Sequence, residues 1–206
     1  MSNMNSRHNM TRIAGTLAVG AWLLGCAGAT GHSASAGSKS QFPLERYFPL
    51  NDAIFTYERW PAGARSADMF MVRIHRTSPT SAEVRAGSAR RQLTIRPEAL
   101  LREGGAALLR TPVERGETWQ GEKGQIELAE INASVDVPAG QFRGCVKTVE
   151  EIGGDAGGHV TTYYCPEVGI AELITEQWIG GAQQSEVVKL RAYGPPVDIS
   201  PGHAFP

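Results

Sequence analysis

Cys145–Cys165 reads CVKTVEEI, then GGDAGG, then HVTTYYC. Two runs rich in β-branched and aromatic residues flank a glycine-rich turn, the pattern of an antiparallel hairpin. Symmetric pairing about Asp155 makes partner numbers sum to 310, which sets Cys145 directly opposite Cys165. Facing side chains at a non-hydrogen-bonded antiparallel pair approach the separation a disulfide requires. A bridge is therefore expected, closing a loop whose constraint is worth about 3 kcal/mol in a loop-entropy account. Two buried free thiols and a metal pair are the competing readings. A structural zinc takes a full tetrahedral set, and His159 is the one further ligand nearby.

The same period-2 alternation recurs outward from the hairpin. Phe70, Val72 and Ile74 share one face while Met71, Arg73 and His75 share the other, as in a half-buried antiparallel strand. Leu93 and Ile95 repeat the pattern before Pro97, and Val188, Leu190 and Ala192 repeat it with Lys189 and Arg191 opposite. Ile126 and Leu128 are in phase, whereas Ile131, Ala133, Val135 and Val137 are shifted by one, which predicts a bulge or strand break near Glu130. Val137-Pro138-Ala139-Gly140 fits a type I turn leading into the Cys145 strand. Pro97–Arg102 (PEALLR), closed by Gly104, reads equally as a short helix with proline at its first position or as a strand. Roughly nine to eleven short strands with no long helical period exclude a parallel sheet. The expected fold is all-β: an antiparallel meander forming an open or incomplete β-barrel, with little helix outside the N-terminal segment. Trp60, Trp119 and Trp178 are evenly spaced, but Pro49-Leu50 and Pro112-Val113 repeat at a different interval, so any duplication is weak.

Composition narrows the function. The 206 residues carry 20 basic and 21 acidic side chains, with 41% hydrophobic and 7% aromatic residues. A near-zero net charge with no Lys/Arg block argues against nucleic acid as a partner. The apolar content is too high for global disorder.

Residues 1–12 hold Arg7 and Arg12 and no acid, and Ile13–Gly25 is free of charge. This is a signal-peptide pattern over 1–25, too short for a permanent span, which needs about 20 apolar residues. Leu23-Leu24-Gly25-Cys26 resembles the lipobox of bacterial lipoproteins, in which the cysteine thiol and its freed amine are acylated, palmitate being a typical chain. Ala27 follows in place of the aspartate that resembles an inner-membrane retention signal, which implies the outer membrane, with the domain facing the periplasm or the cell surface. Several acyl chains anchor stably because each buried CH₂ contributes about 0.8 kcal/mol. Residues 26–40 are Gly-, Ala- and Ser-rich, the composition of a flexible tether, with His32 solvated in it. Acylation of Cys26 also resolves the odd cysteine count, leaving Cys145 and Cys165 to pair in an oxidising compartment. The β-domain then occupies 41–194, followed by a Pro-rich tail, 195–206.

Separated pieces carry a family likeness: Tyr47-Phe48-Pro49-Leu50; Leu109 to Val113 with Gly116 and Trp119; Val137 to Phe142 with Cys145; and Tyr163 to Gly169 (YYCPEVG). Together they resemble a broad class of functionally uncharacterised bacterial lipoproteins with a Pro-Leu…Gly-x-x-Trp, Pro-Ala-Gly-x-Phe and Tyr-Tyr-x-Pro-x-Val-Gly pattern. The likeness spans about 47–192, and the first unit departs from it, with Ala53 and Thr56 where Gly and Trp would stand. It implies an architecture similar to the incomplete β-barrels of envelope lipid and lipoprotein carriers, and brings no catalytic residues.

No catalytic constellation is legible. His75, His159 and His203 are far apart, and neither a G-x-S-x-G motif nor a phosphate-binding loop occurs. Gly153–Gly158 reads as a hairpin turn. Glu150, Glu151, Glu172 and Glu176 read as solvent-facing strand positions rather than an acid/base pair. Trp119, Tyr163 and Tyr164 are candidates for lining a ligand pocket, with the core as their plainer assignment. The expectation is a non-enzymatic, lipid-anchored envelope protein without metal or cofactor that binds a lipid, another apolar ligand or an envelope partner. The alternative is a structural or assembly protein acting through a strand edge.

Overall fold

The structure, a computed structural model, describes residues 43–154 and 157–197. The expected signal peptide, Cys26, the tether with His32, Asp155, and the tail from residue 198 with His203 lie outside the described residues. A single 3-10 turn, Leu44–Tyr47, precedes twelve strands: β1 Ala53–Trp60, β2 Asp68–Ser78, β3 Ser81–Ala86, β4 Ala89–Ile95, β5 Ala99–Arg102, β6 Ala107–Arg110, β7 Thr118–Gln120, β8 Gln125–Val137, β9 Gly140–Glu151, β10 Gly158–Cys165, β11 Gly169–Ile179 and β12 Ala182–Gly194. This is one more than the upper end of the expected range.

Every ladder is antiparallel, and each joins sequence neighbours except the one in which β1 pairs with β12. The order β6-β5-β4-β3-β2-β1-β12-β11-β10-β9-β8-β7 therefore describes a barrel closed by its first and last strands. Its one unladdered seam lies in mid-chain, between β6 and β7. The all-β, incomplete-barrel expectation holds. The turns divide between two ends. Residues 61–67, 87–88, 103–106, 121–124, 152–154 with 157, and 180–181 lie at the end away from the 3-10 turn, the far end. Those at 79–80, 96–98, 111–117, 138–139 and 166–168 lie at the end where residues 44–52 enter β1.

The hairpin register is as the sequence predicts: Tyr164 faces Val146, Tyr163 faces Lys147, and His159 faces Glu151. Cys145 and Cys165 form a disulfide, with Cα atoms 4.1 Å apart and both residues fully buried. In β8 the phase shift is a bulge. Register breaks follow Leu128 and Glu130, Asn132 adopts φ 59°, and burial moves from Ile126 and Leu128 to Ala133, Val135 and Val137. The hairpin turn Pro138-Ala139 then reaches β12, where the Ala139 N–H donates to the Leu190 carbonyl at 3.0 Å.

Pro97–Arg102 resolves in favour of strand. Arg96 and Ala99 exchange backbone hydrogen bonds around Pro97-Glu98, and Ala99–Arg102 pairs with β4 through Ile95–Leu100 and Leu93–Arg102. One reading fails in β12. A bulge between Thr56 and Tyr57 puts Leu190 against Tyr57 but Ala192 against Thr56, so the face of Tyr57 and Phe55 passes from Leu190 to Tyr193, with Ala192 and Tyr193 both exposed. Tyr193 stacks on Phe55 with ring centroids 6.2 Å apart.

Candidate ligand-binding cavity

Eight strands make a barrel that side chains alone can fill, whereas larger barrels enclose space. Here the filling is uneven. The part of the interior near the β8–β9 turn is packed by Phe55, Val135, Val137, Leu190 and Ala171, all buried. Elsewhere Phe70, Val72, Val84, Leu173 and Val188 point inward yet are only half-buried. They surround a cavity of about 400 Å³, within the range of roughly 300–1,000 Å³ usual for small-molecule sites.

At one end the cavity is walled by the 3-10 turn and the residues after it. Tyr47 and Phe48 are almost fully buried, and Tyr47, Phe48 and Pro49 line the space with Val168 and Gly169. This segment is pinned from two sides. The Tyr47 hydroxyl donates to the Gly144 carbonyl at 3.3 Å, and the Glu167 N–H donates to the Arg46 carbonyl at 2.6 Å. Gly169, with φ +77°, lies where an added Cβ meets Pro49 Cδ at 3.4 Å. On the side wall the Tyr57 hydroxyl donates to the Ile170 carbonyl at 2.8 Å, and the Tyr57 and Phe70 rings stack at 5.5 Å. Burial pushes the Tyr57 phenol up, and the Tyr164 phenol, also desolvated, is pushed up to about 12.

The lining changes character toward the far end of the barrel. Arg91 of β4 and Arg102 of β5 line the cavity there, as does Glu186 of β12. Glu122, on the turn after β7, pairs with both arginines: with Arg102 closely and with Arg91 Nη1 at 3.7 Å. Glu186 lies 4.0 Å from Arg59 Nε, and Arg59 also holds Asp68 at 3.0 Å.

The three aromatic candidates separate. Tyr164 lines the cavity. Tyr163 does not, because successive strand residues face opposite ways; its ring lies 5.7 Å from Lys147 Nζ instead. Trp119 is a buried core residue whose Nε1–H donates to the Ala107 carbonyl at 3.0 Å, fastening β7 to β6 across the seam. Glu150 is a second correction. It shares the inward face with Thr148 and Val146, and its half-buried carboxylate accepts the Lys123 N–H at 2.7 Å. Glu172 pairs with Lys189, and Glu176 with His159. Sequence reasoning missed Tyr47, Phe48, Arg91 and Arg102 as cavity residues. The aromatic pair beside a proline, Tyr47-Phe48-Pro49, was a signal, whereas the two arginines had none.

Among the described residues no group of three or more His, Cys, Asp or Glu side chains is placed to hold a metal ion, and no helix is long and apolar enough to cross a membrane. No protein-family model matches the chain, and no curated protein matches it. Two solved structures are similar in backbone course. One is a Bacteroides fragilis protein described as exported, with a YmcC-like fold, at 14% identity and TM-score 0.49, covering 71% of this chain and 98% of its own. The other is a Parabacteroides distasonis protein described as a lipoprotein, at 13% identity and TM-score 0.49, covering 72% and 98%.

Proposed function

We propose that this chain is an envelope lipoprotein, acylated at Cys26 and without catalytic activity, that holds an apolar ligand inside its barrel. The observation that carries the binding role is the set of inward-facing apolar side chains left half-buried around the cavity. An apolar surface kept from its partners forgoes roughly 25 cal/mol per Å² of burial, and a ligand restores that contact. The lipobox motif Leu23–Cys26 supports the anchor, and the paired cysteines of the hairpin suit an oxidising compartment. The outer membrane is the proposed site, because Ala27 follows the cysteine.

Two measurements test this reading. Intact mass of protein purified from membranes is expected to equal residues 26–206 plus acyl chains; an unacylated full-length chain overturns the anchor. Organic extraction of the same protein is expected to release a bound apolar compound that a Val84→Phe variant, filling the cavity, no longer carries. Equal loading of both proteins overturns the cavity as the site.

A second reading is an assembly protein that adds a partner strand at β6 or β7, the two strands that end the sheet. Envelope crosslinking that finds only monomers overturns it.

A further inference from the structure

The cavity is apolar along most of its length and charged at one end. We infer that its ligand is a single-chain amphiphile with an anionic head, the chain lying inside the barrel and the head at Arg91 and Arg102. This rests on the cavity being a binding site, as proposed above, and adds the chemistry and orientation of what binds.

Size argues for one chain. At roughly 30 Å³ for a water-sized group, a cavity of about 400 Å³ takes on the order of a dozen methylenes.

Orientation follows from the two ends. Around Tyr47, Phe48, Pro49, Val168 and Gly169 no ionic side chain lines the cavity. The phenols there and along the wall stay neutral, and the Tyr57 hydroxyl is already committed to Ile170. A head group buried at that end would lose its hydration without a partner.

The opposite end brings two guanidiniums from adjacent strands to the cavity lining, tied to one carboxylate, Glu122, that is not itself part of the lining. A guanidinium has five N–H donors, so one shared carboxylate leaves donors on both. Arg91 and Glu122 are exposed and Arg102 is 32% exposed, and such pairs contribute little net stability, which makes Glu122 displaceable. Glu186, the acid that does line the cavity, lies 4.0 Å from Arg59 Nε, so a cation partly offsets its charge. A carboxylate or phosphate head finds planar paired donors here, and a cationic head finds both arginines against it.

The test uses the folded chain with its disulfide intact and probes that share a dodecyl chain, each below its micelle concentration. The probes are dodecanoate, dodecanoyl lysophosphatidylglycerol, dodecyl maltoside and dodecyltrimethylammonium. At least one of the two anions is expected to bind tenfold or more tighter than the neutral and cationic probes, and the tighter anion names a free acid or a phospholipid as the source. Arg102→Gln and Arg91→Gln are each expected to weaken that anion about tenfold while leaving dodecyl maltoside unchanged. Glu122→Gln is expected to tighten it. Equal binding of anion and cation, or arginine variants that leave anion binding unchanged, overturns the head-group assignment while the cavity reading stands. No binding of any probe overturns both. Arg91, the more exposed arginine, keeps the test decisive if Arg102→Gln does not fold.

Discussion

Cys145 and Cys165 face each other across β9 and β10 with Cα atoms 4.1 Å apart, one pair beyond Val146 and Tyr164 in an unbroken register. The bridge therefore locks a ladder that hydrogen bonds already specify, and its effect falls mainly on the unfolded chain. Replacing both cysteines by serine is expected to cost about 3 kcal/mol and to lower Tm by roughly 5–10 °C, with the fold retained. Calorimetry of the two proteins checks this, and an unchanged Tm contradicts it.

Trp119 holds the seam by one indole hydrogen bond to Ala107. Trp119→Phe keeps a buried ring but orphans the Ala107 carbonyl, a loss of about 1–3 kcal/mol. Amides of β6 and β7 are expected to exchange faster with solvent deuterium, while those of β9 and β10 keep their protection. A uniform change across the barrel would show that the seam is not a local weak point.

Gly158 begins β10 at φ +135°, and a Cβ there would lie 2.1 Å from the Glu176 carbonyl oxygen. Gly158→Ala therefore combines backbone strain of about 1–3 kcal/mol with a clash against a paired strand. Gly180, at φ +61° on the β11–β12 turn, has no atom within 4 Å of such a Cβ. Urea denaturation is expected to rank Gly158→Ala well below Gly180→Ala in stability, and equal midpoints would rule this account out.

Alkaline titration separates the buried phenols. Tyr47, Tyr57 and Tyr164 are all raised by desolvation, Tyr164 to about 12. A group raised on folding stabilises the native state below its unfolded value, near 10, and the contribution disappears as pH climbs through the folded value. Between pH 10 and 12 the native protein is expected to show less phenolate absorbance than the unfolded chain and to lose stability steadily. Coincident titration curves would mean that these phenols are wet.

The parts legible in the sequence are those fixed by neighbours along the chain. The 310 register follows from a short turn between matched runs, the β8 bulge from a parity change in apolar residues, and the Val137–Gly140 turn from proline and glycine spacing. Features set by distant segments were not legible. Whether Tyr163 or Tyr164 faces the cavity depends on which side of the sheet closes inward. The switch from Leu190 to Tyr193 depends on a bulge opposite β1, and the meeting of Arg91 with Arg102 depends on the pairing of β4 with β5. The helical reading of PEALLR failed for a related reason. Its residues suit either state locally, and the waiting edge of β4 decides.

Ile54 lies opposite Gly194, so the strand made first waits for the strand made last. Synthesis runs from the N-terminus, and long-range pairing is slow to form. Hairpins from β1–β2 to β5–β6 can assemble as they emerge, yet the outer edge of β1 stays bare until residues 187–194 arrive. During that interval the nascent protein exposes a hydrogen-bonding template and a half-built apolar interior. Loss of the last strand, even with every cavity residue before it intact, would therefore leave a chain disposed to pair with copies of itself, and timing of release becomes as consequential for this barrel as its final stability.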